Sequence, residues 1–388
     1  MVQPVVGIQP RVLAWARQQS GYSINDVARK LKREPTEVTA WENGDASPTY
    51  VQLEKLAYQL YKRPLALFFM PAPPEEPPLK QEFRTLPAAE MDTLLPQTRY
   101  LLRTAQAFQF SLKELNEGIN PVAQPIFKEI RFTGRIKQTA QKVREHLKVS
   151  LTDRTEWRSV DDALKAWRHV VEHSGVYVFK QSFEQKAISG FCLVDDEFPI
   201  IFINNSTTKA RQIFTLFHEL AHVLMGVNAI GKVDEAYIEA LPQEDKQIEQ
   251  LCNALAAELL VPSDDFDGQT VGVQEFDNSI LEDWANQYWV SREVILRRLL
   301  DMGKIDRDDY VSKILLWQAN AQNSDKKGAG GNYYATQVAY LGENYLRLVF
   351  DRYYQGRLDV DQVAGHLGIK AKNVSGIEAQ LTSKGTAV

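Results

Sequence analysis

The chain has 388 residues, 44% of them hydrophobic, and a net charge of −5. That length exceeds one small domain and suits two or three, each with an ordinary globular core. No run approaches the ~18–20 apolar residues of a membrane span, which excludes a helical membrane protein, and Met1-Val-Gln-Pro-Val-Val-Gly7 lacks the basic and then apolar order of a secretory signal. Two cysteines in so long a chain argue against a disulfide framework and fit a reducing cytoplasm.

In chain order, residues 1–70 read as a separate all-helical unit. Val12, Leu13, Trp15 and Ala16 begin a helix that Gly21 closes. Ser23 caps a second helix, Ile24 to Leu31, with Asp26 at the capping-box position. A third, Pro35 to Asn43, starts with proline where the missing N–H does no harm and stops before Gly44. Tyr50 to Leu60 carries Leu53, Leu56, Ala57 and Leu60 on one face of a fourth.

The order Ser23-x-x-x-Val27-Ala28, Val38-Thr39-x-Trp41-Glu42-x-Gly44, Pro48 and Leu53-x-x-Leu56-Ala57 resembles the XRE (Cro/C1-type) helix-turn-helix family. The resemblance implies double-stranded DNA as a partner through residues 23–44, with Thr36, Glu37, Thr39 and Ala40 nearest the bases in the major groove, and a homodimer on paired half-sites. Nine Lys/Arg against six Asp/Glu in residues 1–70 give a local charge of +3, which favours phosphate contact. Ile24, where many members have glutamine, and Glu34, a carboxylate beside the phosphates, weigh the other way. A helix-turn-helix kept only for dimerisation or docking is the competing reading.

Residues 71–97 are expected to form a proline-rich linker, since Pro71-Ala-Pro-Pro-Glu-Glu-Pro-Pro78 disfavours helix and sheet. Residues 98–318 form the next expected domain. Helical patterns at Thr98–Asn116, Ile136–Leu147 and Val160–His173 lead to a strand at Gly175–Phe179, a second around Ile188–Val194 and a third at Phe198–Asn205.

The strongest motif follows. His218-Glu219-x-x-His222 lies in an apolar run of helical character, and residues four apart share one helix face. Two imidazoles so spaced can grip one metal ion, with Glu219 in reach of a water on it. A third ligand is expected downstream, where Gln247 to Leu260 has helical periodicity and Pro262 stops the run. Glu249 is the best candidate, with Asn253 one turn away to orient it. Glu258, out of phase with Glu249, is expected to hydrogen-bond near the helix end. A His, His, Glu set points to hydrolytic zinc.

Arg211-Gln-Ile-Phe-Thr-Leu-Phe-His218-Glu219-Leu-Ala-His222, with Glu249-x-x-x-Asn253-x-x-Ala256-Ala257-Glu258-Leu-Leu-Val-Pro262 and Ser189-Gly190 upstream, resembles the ImmA/IrrE metallopeptidases over about residues 130–305. The resemblance implies a gluzincin-like domain in which His218, His222 and Glu249 hold Zn2+. Glu219 would be the general base toward metal-bound water, and a repressor or antitoxin-like protein would be the cleaved partner. Val223-Leu-Met-Gly226 stands where many members carry a further histidine, so the residue that stabilises the transition state is open, with Tyr237 one possibility. Cys192, on the strand before the metal helix, is a possible metal-blocking thiol; Cys252 reads as a small buried residue behind the site.

Ser279 to Lys304 suggests two helices joined at Trp289-Val-Ser291. Arg292, Arg297 and Arg298 there could touch DNA, although a buttress for the catalytic core is the plainer reading. Residues 319–332 read as a glycine-rich flexible linker and 333–388 as a small helical region, with one helix from Tyr333 to Phe350 and a pair at Asp361–Gly368 and Asn373–Leu381. The whole is expected to be α+β and mostly helical: an N-terminal XRE-like helix-turn-helix bundle, a gluzincin-like metallopeptidase domain with a small sheet, and a helical tail. Three activities compete: a zinc endopeptidase and transcriptional regulator, a DNA-binding repressor or antitoxin whose peptidase-like domain docks a partner without catalysis, and self-cleavage within Pro71–Pro78.

Overall fold

Two units make up the computed structural model, which describes residues 3–76, 93–233, 235–321 and 331–385. One unit holds the described residues up to 76 together with 93–106, and the other holds those from Ala107 onward. Most of the expected 71–97 linker and the stretch 322–330 of the second linker lie outside the described residues.

In the first unit, helices α1 (Pro10–Gln19), α2 (Ile24–Leu31) and α3 (Pro35–Asn43) follow the boundaries their capping residues dictate. The Ser23 hydroxyl accepts from the Asp26 N–H while the Asp26 carboxylate accepts from the Ser23 N–H, satisfying two otherwise orphaned donors. Gly44 ends α3 at φ 87°, in the left-handed region open to glycine. The expected fourth helix is regular only over Tyr50–Glu54 and widens into π-helical turns at Lys55–Tyr61. Val12, Leu13, Ala16, Val27, Val38, Trp41, Leu53 and Leu56 share one core. Arg17 donates to both oxygens of Glu42, at 2.7 and 2.8 Å, clasping α1 to α3 with a bidentate, largely buried pair.

The second unit is built on a four-stranded sheet in the order β1-β3-β2-β4, with β1 Tyr177–Gln181, β2 Ile188–Leu193, β3 Ile200–Asn204 and β4 Ala229–Lys232. β3 runs parallel to β1 and antiparallel to β2, and β4 pairs antiparallel with β2. Near-continuous burial along β1 to β3 means both faces are covered, which explains why these strands read as apolar runs rather than alternations. On one face Val178, Cys192, Ile201 and Ile203 join the main core. On the other, Phe179 and Phe191 each stack on Phe202, and Phe108 and Tyr345 pack on Phe179.

The main core is built around the helix Lys209–Met225, termed here the histidine helix. Thr208 caps it, Gly226 ends it at φ 76°, and every residue from Gln212 to Leu224 is buried. A helix buried all round has no solvent face to keep polar. Its polar residues are therefore there for a reason other than solubility. Gly190 sets its distance from the sheet: a Cβ there would lie 2.6 Å from both the Phe202 carbonyl oxygen and the Thr215 methyl.

Next to it lies the helix Gln243–Leu260, the glutamate helix, whose C-terminal end is plugged from within. Arg154, 1% exposed, donates to the carbonyls of Leu259 and Leu260, and Arg144 donates to that of Glu258. These guanidiniums answer carbonyls that a buried helix end would leave unpaired. Glu258 behaves as expected, accepting from Ser263 and, at 2.7 Å, from buried Arg298. Arg298 therefore braces the core; Arg292 lies over the Trp317 ring and Arg297 pairs with Asp301. Trp289, at φ 59°, ends the helix Asn278–Tyr288, and Ser291 caps the helix Arg292–Asp301.

The expected single helix from Tyr333 to Phe350 is two, Tyr333–Leu341 and Glu343–Tyr354, broken at Gly342 with φ 85° and ψ 148°. The break admits Arg168, whose guanidinium would lie 2.3 Å from a Cβ on Gly342 and donates to the Ala339 carbonyl. A tertiary contact thus overrides a locally helical pattern. The helices Val360–Leu367 and Val374–Gly385 complete the chain's described part.

Candidate metal centre

The histidine helix and the glutamate helix bring together His218, His222 and Glu249. Their ligand atoms all lie within 4.8 Å of one another, and all three residues are buried. Glu249 Oε2 is 3.3 Å from His218 Nε2, Glu249 Oε1 is 3.3 Å from His222 Nε2, and the two Nε2 atoms are 3.1 Å apart. Three convergent donors of this type leave no direction unsuited to a cation.

The proton balance fits the same conclusion. Burial disfavours a charged His218, but the hydrogen bond and charge of Glu249 outweigh it, and the pKa is raised. For His222 burial dominates and the pKa is lowered. Burial acts upward on Glu249 too, yet the two histidines hold it well below the usual carboxylate range. His218 Nδ1, Glu249 Oε1 and both oxygens of Glu219 are buried without a hydrogen-bond partner, a concentration of unsatisfied atoms that an ordinary core does not tolerate. These residues fit a metal ion.

Glu219 is the other exceptional group. It is fully buried one residue from His218, and burial pushes its pKa up to about 8. The Cys192 thiol and the Gly231 N–H lie on its side without reaching good hydrogen-bond geometry. Gly231 leaves its carboxylate room: a Cβ there would lie 2.6 Å from Glu219 Oε1. A cation held by the triad would favour the ionised form of Glu219 that a base requires.

The group that orients Glu249 is Tyr237, whose hydroxyl donates to Oε2 at 2.8 Å. Asn253, expected in that role, makes no hydrogen bond to Glu249 among the described residues; it lies one turn further along the same helix, lining the cleft beside His218. Tyr237 belongs to the 3-10 turn Glu235–Ala240 and reaches across from outside the helix, which a residue on the same helix does less readily. Ser189, Arg211 and Lys232 complete the cleft around His218. The space between them is about 10 Å3, room for about one water.

Cys192 is not part of the ligand group. Its Sγ lies 3.6 Å from the Val227 carbonyl oxygen, and burial raises the thiol well above its usual range. Cys252 does lie behind the site, with Sγ 3.5 Å from His222 Nδ1 and 3.5 Å from Met225 Sδ. No sequence signal marked that contact, or the Arg154 plug.

In the first unit, Thr36 is exposed on α3 and Glu37, Thr39 and Ala40 are half-buried. Glu37 lies 3.9 Å from Arg33 and accepts from Gln52, and the Thr39 hydroxyl donates to the Pro35 carbonyl. All four residues share one short helix.

Residues 171–300 match the family model Peptidase_M78, described as the IrrE N-terminal-like domain. The matched span contains the sheet, His218, Glu219, His222 and Glu249. No curated protein matches the chain. Family match and buried triad together point to a metallopeptidase-type domain.

Proposed function

We propose that this chain, which carries a metallopeptidase-type domain, is a zinc-dependent endopeptidase acting on a protein partner of the repressor or antitoxin type, and that its N-terminal unit is a DNA-binding head. The observation that carries the catalytic half is the pairing of a buried metal-capable triad with a buried, unpartnered Glu219 beside it. His218, His222 and Glu249 would hold the ion, which when bound supplies Lewis acidity toward a peptide carbonyl and acidifies water.

The chain's own residues do the rest. Glu219 accepts a proton from the attacking water and returns it to the leaving amine. Tyr237 fixes Glu249 through its hydroxyl. The DNA-binding half rests on the +3 balance of residues 1–70 and the exposed Thr36 on α3, with a homodimer on paired half-sites.

The test is to purify wild type and Glu219→Gln, measure bound metal in each, and incubate both with proteins encoded beside the gene. Metal in both, with cleavage by wild type alone, is expected, with a loss of ~10²–10⁴-fold in the variant. Metal without cleavage of any candidate supports instead a domain that docks its partner. No metal in either ends the peptidase reading.

A further inference from the structure

Arg211 is a cation that the proposed chemistry leaves unused. It lies in the first turn of the histidine helix and lines the cleft beside His218. One guanidinium nitrogen, Nη2, donates to the Lys232 carbonyl at the end of β4, at 2.7 Å. The guanidinium carbon lies 5.6 Å from the Phe214 ring centroid, which holds the plane in place. Nε is buried and has no hydrogen-bond partner. Among the described residues Arg211 makes no ion pair, whereas Arg298 has Glu258, Arg168 has Glu172 and Arg17 has Glu42.

A structural staple between helix and strand accounts for Nη2 alone. It needs one donor, and a neutral amide would serve. What it does not account for is a full positive charge with a dry, idle N–H in a cleft whose other cation, Lys232, sits 5.1 Å from the Tyr237 ring centroid. An unsatisfied buried donor costs free energy, which a ligand accepting from it would offset. A planar guanidinium fixed at one nitrogen presents its remaining N–H groups to a carboxylate, its best-matched partner.

We propose that Arg211, with Lys232 beside it, forms a carboxylate-binding subsite next to the metal triad, so that the substrate carries Asp or Glu close to the scissile bond. This rests on the peptidase reading and deepens it by naming a substrate class. The subsite recognises by a charge-assisted pair, so its contribution falls with salt and disappears when the substrate acid becomes an amide.

The test uses the zinc-loaded full chain and two matched pairs of dipeptide hydroxamates, with Asp or Asn on one side of the metal-binding group or on the other. Titration calorimetry reads binding without turnover. In one pair the Asp compound is expected to bind about 10-fold tighter, and the ratio to shrink in 0.5 M salt, roughly as screening requires. Arg211→Gln should bring the ratio to about one, and Arg211→Lys, which keeps the charge without the fork, should retain part of it. Equal affinities within both pairs, or a preference unchanged in Arg211→Gln, would overturn the inference while leaving the peptidase reading intact. Should Arg211→Gln fail to fold, the wild-type ratio, its salt dependence and Arg211→Lys still decide. Failure of metal-loaded protein to bind any hydroxamate sinks both.

Discussion

The polar groups of α3 and those of the histidine helix are treated in opposite ways. On α3, Glu37 and Thr39 have partners within reach, Arg33, Gln52 and the Pro35 carbonyl, and solvent for the remainder. On the histidine helix, Glu219 and His218 Nδ1 are sealed from water and have no hydrogen-bond partner. A helix face open to solvent can keep its polar groups hydrated or paired at little cost. A site that does chemistry holds them desolvated in advance, at a cost to stability that only a ligand offsets.

The largest effects should come from the buried side of this comparison. Beyond the loss in Glu219→Gln, Arg298→Ala leaves Glu258 buried without its cation and is expected to cost about 3–5 kcal/mol in urea unfolding. A cost below 1 kcal/mol would mean water reaches that pair, and the contrast in desolvation would weaken. Tyr237→Phe removes the hydroxyl on Glu249 and should lower metal affinity by roughly 10–100-fold in chelator competition, with little change in unfolding midpoint of the metal-free protein. On the exposed side, Thr36→Glu should weaken binding to duplex DNA from upstream of the gene by about 10-fold, leaving metal content unchanged. Unaltered DNA binding would remove α3 as the interface.

The smallest effect is a pH slope. Burial, then the charges of Arg168 and Lys209, against Asp161 and Glu172, bring the pKa of Lys180 down to about 7. Between about pH 7 and its ordinary range near 10.5, the unfolded chain holds a proton that the folded chain lacks. Stability from this group therefore rises with pH across that window and is lowest below it. Lys180→Met should be the more stable protein at pH 7, and its advantage should shrink by pH 9; an advantage independent of pH would show that Lys180 stays charged in the fold.

Much of this was legible in the chain because it is written in local spacing. Ser23 with Asp26, Pro35 with Gly44, and His218 with His222 each lie within one element, and the structure places each as the spacing dictates. Glu249 was reachable as well, since its helix announces its own phase and end. What escaped depends on residues far apart in sequence. Tyr237 displaces Asn253 as the partner of Glu249 because it arrives on a separate turn, and the helix expected through Phe350 breaks at Gly342 to admit Arg168. For Cys192, spacing could place the thiol near the metal helix but could not show how completely the sheet buries it.

The long reach of these contacts bears on the order in which the chain can be assembled. Arg154 closes the end of the glutamate helix from 106 residues away, Arg168 donates to Ala339 across 171, and Arg352 donates to Leu115 across 237. Contacts so distant in sequence carry a large loop-closure cost and form late, which makes for a slow-folding topology. During synthesis, His218 and Glu249 emerge well before the helices that hold the far face of their sheet. A ribosome-bound chain ending near residue 320 would therefore possess every metal ligand while lacking the helix that brings Tyr345 onto Phe179 of the sheet.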